Sequence, residues 1–160
     1  MSVTSVDKDF ENRTLTLVCD FPVGVERVWE LWADPRRLER WWGPPTYPAT
    51  VEKHEFTPGG DVTYHMTGPE GDRHPGWWRV RSVEPPTTLE FLDGFGEVPG
   101  DAGGMPTVTM RLEIGEHGDG ARMVLRSTFE SVEAMERMVE MGMDEGMSAA
   151  IGQIDDLLAV

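Results

Sequence analysis

Phe21-Pro22-Val23-Gly24-Val25-Glu26-Arg27-Val28-Trp29-Glu30-Leu31-Trp32, then Asp34-Pro35 and Trp41-Trp42-Gly43-Pro44-Pro45, is the stretch from which the rest of the chain is read. Val25, Val28, Trp29 and Trp32 recur at i, i+3, i+4 and i+7, one apolar stripe of a helix. Pro22 suits a first helical turn because its φ is already fixed near the helical value. Asp34-Pro35 ends that helix, and the Asp34 carboxylate offers a cap to a second short helix reaching about Arg40. The Trp41–Pro45 segment reads as a loop.

Before this stretch, residues 13–19 alternate Leu15, Leu17 and Cys19 against Thr14, Thr16 and Val18, the pattern of a half-buried strand. Residues 1–12 read as a lead-in. After it come strands and turns: 50–56, 61–67, 77–83, 88–93, 107–114 and 121–129 are expected strands, broken by Thr57-Pro58-Gly59-Gly60, by Glu84-Pro85-Pro86 and by the glycine-rich loop Gly94–Met105. Ser131 caps what reads as one helix from 131 to 160, with Met135, Met138, Val139, Gly142, Gly146, Ala149, Ala150, Gln153 and Leu157 on its inward face. The expected class is α+β: a curved, seven-stranded antiparallel sheet, two short helices after the first strand, and a long C-terminal helix. Seven short strands cannot cover themselves, so the last helix must lie across the sheet. The expected organisation is one domain over 1–160.

The chain has 160 residues, with 14 Lys or Arg against 29 Asp or Glu, a net charge of −15. Nucleic-acid binding and docking on an anionic membrane both need clustered basic residues, and none cluster here. The single cysteine, Cys19, excludes an intramolecular disulfide and a thiolate metal cluster. No stretch near the start resembles a signal peptide, so the cytoplasm is the expected compartment.

The helix with Val28-Trp29, then Asp34-Pro35 and Trp41-Trp42-Gly43-Pro44, resembles the START-like (SRPBCC) family related to the C-terminal domain of the heat-shock-protein-90 ATPase activator. Pro58-Gly59-Gly60, and Gly76 followed by Val83-Glu84-Pro85-Pro86 and Leu89, match further along. The last helix matches more loosely, with Gly146-Met147 where the family commonly has Gly-Trp. The resemblance implies a helix-grip fold with a cavity between sheet and helix, and relatives that bind lipids, hormones, polyketides or other apolar molecules. A minority of such relatives are cyclases or related enzymes.

The expected function is therefore capture of an apolar or aromatic small molecule. A polyketide cyclase or dehydratase and a chaperone-linked interaction module are the alternatives, and a protein partner or homodimer is left open. Expected lining residues are Trp42, Tyr64, Trp78, Phe91, Met110, Met138, Gly142 and Gly146, with His54 and Gln153 as polar anchors. Methionine suits irregular pockets because it is unbranched and polarizable. Gly142 and Gly146 read either as room for a ligand or as close packing or a bend. Gly94–Met105 is a candidate lid. His54, His65, His74 and His117 lack metal-ligand spacing, Cys19 reads as an inert buried thiol, and no metal, cofactor or catalytic residue is expected. The carboxylates read as mostly outward-facing or in loops.

Overall fold

A computed structural model describes residues 3–100 and 106–158. Eight strands form one antiparallel sheet in the order β1-β2-β8-β7-β6-β5-β4-β3. They are β1 (Val3–Asp9), β2 (Thr14–Phe21), β3 (Ala49–His54), β4 (Asp61–Thr67), β5 (Arg73–Glu84), β6 (Thr88–Phe95), β7 (Val108–His117) and β8 (Gly120–Phe129). Helices α1 (Val25–Ala33) and α2 (Pro35–Leu38) follow β2, and α3 (Val132–Glu140), α4 (Met143–Gly152) and α5 (Ile154–Leu158) close the described chain.

The α+β class and its sheet-and-helix arrangement agree with the sequence reading, with two corrections. The expected lead-in contains an eighth strand: β1 pairs with β2 through a turn in which Arg13 takes a left-handed φ of 59°. That strand lies at the sheet edge and its middle five residues are exposed, so no apolar alternation marks it in the sequence. The second correction is at the C-terminus, where the expected single helix is interrupted. Gly142 adopts φ +87°, a conformation glycine reaches without a Cβ clash, and it ends α3 while capping α4. The interruption resets the helical phase. Ala149, expected inward, is exposed, whereas Ile151 and Ile154 are buried.

The α1 stripe behaves as its spacing requires: Val28 and Trp32 are fully buried and Trp29 nearly so, although the helix begins at Val25 with Gly24 as its cap. Asp34 accepts from the Arg36 amide at 2.9 Å and starts α2. Leu15, Leu17 and Cys19 face the core, joined by Leu112, Leu125 and Met123 from β7 and β8. A Lys8–Asp144 ion pair at 3.1 Å ties β1 to α4. Of the expected Gly94–Met105 loop, Gly94 and Phe95 belong to β6, and residues 101–105 lie outside the described part. Among the described residues, no helix is long and apolar enough to cross a membrane.

Candidate functional site

Inward-facing residues of neighbouring strands line up in rows. Val62, Trp78, Asp93 and Val108 form one row across β4, β5, β6 and β7; Tyr64, Gly76 and Phe95 form the next. Gly76 leaves a gap in its row, and the Tyr64 ring occupies it: a Cβ at Gly76 would lie 2.5 Å from both the Cζ and the hydroxyl oxygen of Tyr64. Crossing that gap, the Tyr64 hydroxyl donates to Asp93 Oδ1 at 3.0 Å.

Above these rows lies a cavity of about 270 Å³ between the sheet, the Trp41–Pro44 loop and the α3–α4 break. Trp41, Trp42, Tyr64 and Phe95 supply aromatic walls, and Met66, Met110, Met138, Met141, Met143 and Met147 supply flexible thioether walls. Phe95 and Met141 are the exposed members of the lining, 38% and 62% accessible. Gly142 and Gly146 border the same space. A Cβ at Gly146 would meet no atom within 4 Å, so this glycine faces open volume rather than a close contact.

Among the described residues, Asp93 is the one carboxyl in the wall, and no Lys, Arg or His lines the cavity with it. Burial pushes its carboxyl up to about 7, against a smaller opposing effect of the Tyr64 hydrogen bond. Burial also raises the Tyr64 phenol well above its ordinary value, reinforced by the charge of Asp93. The Trp42 indole N–H lies close enough to the Tyr64 oxygen to oppose that rise, although it makes no hydrogen bond of regular geometry.

Six of the ten expected site residues meet at this cavity: Trp42, Tyr64, Met110, Met138, Gly142 and Gly146. Trp78 and Phe91 do not line it. They are fully buried beneath, stacked at 4.0 Å, with Trp42 edge-on to Trp78 at 4.8 Å. His54 is elsewhere: its Nε2 lies 3.1 Å from the Trp32 carbonyl, its ring stacks on Phe56, and burial lowers its pKa. Gln153 likewise serves the backbone, donating from Nε2 to the carbonyls of Gly43 at 2.7 Å and Trp41 at 3.3 Å. It thereby fastens the end of α4 to the tryptophan loop. Cys19 is buried, and its thiol is pushed up to about 12 by desolvation.

The sequence reading missed Asp93. The signal is present, because Asp93 shares the period-2 face of Leu89 and Phe91, but the residue stands at the end of an expected strand and nothing in the sequence singles it out from the other acids. Among the described residues no group of three His, Cys, Asp or Glu side chains could hold a metal ion.

A family model matches most of the chain, and solved structures share its fold. The family model described as "Activator of Hsp90 ATPase homolog 1-like protein" matches residues 22–159. A solution structure of a protein from Arthrobacter aurescens is 48% identical, with a TM-score of 0.94, over 99% of this chain and 92% of that one. A crystal structure of a protein from Mycobacterium smegmatis is 43% identical, with a TM-score of 0.89, over 98% and 96%. DynU16, from the dynemicin biosynthetic locus, shares the fold at 18% identity and a TM-score of 0.67, over 92% of this chain and 48% of that one. No curated protein matches the chain. The chain belongs to the family of proteins like the activator of Hsp90 ATPase homolog 1.

Proposed function

We propose that this protein captures a small, largely apolar or aromatic molecule between its sheet and the α3–α4 helices. The observation that carries this reading is a void of about 270 Å³ walled by aromatic rings and methionines, with a single polar corner at Asp93 and Tyr64. Its size approaches the ~300 Å³ at which ligand pockets begin, and its lining follows their usual pattern of apolar walls with few polar groups. Each Å² of apolar ligand surface buried there contributes about 25 cal/mol. The test is a thermal-shift screen of lipids, flavonoids, polyketides and steroids, with tryptophan fluorescence on the hits. A ligand at a hundred times its Kd adds about 2.7 kcal/mol of stability. Hits lost in Gly146→Phe, which fills the open volume, support capture. A flat screen overturns it.

Asp93 supports a second reading, an enzyme of the polyketide-cyclase or dehydratase type. A carboxyl pushed up to about 7 exists in both protonation states near neutrality, as a general acid or base requires. Conversion of a bound hit that follows the ionisation of Asp93 and stops in Asp93→Asn supports this reading, and binding without conversion removes it.

A further inference from the structure

The polar corner of the cavity has a direction, and this inference rests on the capture reading because it concerns what fills that cavity. Tyr64 donates to Asp93, and the Trp42 indole N–H lies near the Tyr64 oxygen. The Tyr64 hydroxyl thus spends its proton on the carboxyl, and Asp93 is left as the terminal acceptor. Among the described residues, no cation near Asp93 offsets its burial, and Tyr64 is the side chain that donates to it. An ionised carboxylate held in an apolar wall without a countercharge is costly unless a partner arrives with one.

The surroundings agree on the sign of that partner. Trp41, Trp42, Tyr64 and Phe95 present aromatic rings to the cavity, and ring faces attract cations. The net charge of −15 draws cations towards the protein and repels anions. A carboxylic acid entering the cavity would set a second carboxyl against Asp93, and one of the two would have to remain protonated. A neutral alcohol would fill the space but leave the carboxylate uncompensated.

We propose that the cavity takes an apolar amine, its protonated nitrogen seated against Asp93 and its hydrocarbon body against the methionines of α4. The ammonium replaces the missing countercharge, and Tyr64 holds the carboxylate oriented towards it. No bond is made or broken. Because the free carboxyl is partly protonated at neutral pH, binding an ammonium drives it to the ionised form and releases a fraction of a proton to the buffer.

The experiment uses the full chain and three ring systems, cyclohexylmethyl, 1-adamantylmethyl and 2-naphthylmethyl, each as the amine, the alcohol and the corresponding ring carboxylic acid. Calorimetry at pH 7.5 is expected to show the best-fitting amine binding at least about tenfold tighter than its alcohol, the range for a hydrogen bond to a charged group, and the acid weakest. Asp93→Asn is expected to bring the amine-to-alcohol ratio close to one. In the unsubstituted protein, the carbon-13 titration of the Asp93 carboxyl is expected to move to lower pH with saturating amine and to stay in place with alcohol. That measurement holds even if the variant folds poorly. Alcohols that match the amines, an amine preference that survives Asp93→Asn, or an Asp93 titration unmoved by amine each overturn this proposal while capture stands. If no ring system binds in any form, this proposal falls, and capture is decided by the wider screen of lipids, flavonoids, polyketides and steroids.

Discussion

The Tyr64 hydroxyl donates to Asp93 Oδ1 at 3.0 Å by reaching over Gly76, whose missing side chain is the space the tyrosine ring fills. One glycine in the middle of a strand thus creates the only hydrogen bond seen between polar side chains lining the cavity, among the described residues.

Gly76→Ala is expected to destabilise the fold by about 1–3 kcal/mol, the usual cost of overpacking a filled site. The new methyl collides with the Tyr64 ring and moves its hydroxyl off Asp93. Urea denaturation measures the loss. Unchanged stability would mean that the ring moves aside freely and that the gap is not what positions it.

Asp93 has a folded pKa of about 7, raised above the ordinary carboxylate value of 3.8. Between those values the folded state binds more protons than the unfolded chain, so stability falls as pH rises from about 4 to about 7. The full effect is on the order of 4 kcal/mol as an upper bound. Asp93→Asn is expected to remove this fall, leaving the variant relatively more stable at pH 8 than at pH 4. His54, whose pKa burial lowers, acts in the opposite sense. The comparison of the two proteins, by urea denaturation at each pH, cancels it. A difference that does not change with pH refutes the buried-carboxyl account.

Alanine is expected to act with opposite signs at the two glycines of the α3–α4 region. Gly146→Ala adds a methyl that meets no atom within 4 Å, so the helix gains about 1 kcal/mol. Gly142→Ala forces a Cβ into φ +87° and costs about 1–2 kcal/mol. Denaturation midpoints for both variants decide the matter. Stabilisation by both would mean that the turn at Gly142 straightens easily.

Gln153→Leu is expected to cost about 1–3 kcal/mol, because the carbonyls of Gly43 and Trp41 lose their shared donor in a part-buried place. Hydrogen exchange should then quicken in both the 41–44 loop and the end of α4. Faster exchange in only one of them would show that Gln153 does not couple the two.

Much of the architecture is legible in local pattern because periodicity reports which face of an element is dry. The 3.6-residue stripe of α1, the Asp34 cap and the alternating strands β2, β7 and β8 all follow from residue spacing and agree with the structure. Pattern fails where no face is dry or where conformation departs from the repeat. Strand β1 has exposed edge positions to bury nothing with, and the break at Gly142 looks in sequence like any glycine on a helical face.

By itself, then, the sequence determined the order of elements from β2 to β8, the sheet-and-helix class, the family and the absence of a disulfide within the chain. The tertiary structure alone decided that His54 and Gln153 satisfy backbone carbonyls and that Trp78 and Phe91 lie under the cavity rather than in its wall. It alone brought Asp93 from β6 to Tyr64 from β4 across the empty place at Gly76. The reason is that periodicity assigns a side chain to a face, one dimension of its position. A site is a meeting of side chains from different strands, which depends on register, on the gaps between neighbours and on where the helix breaks.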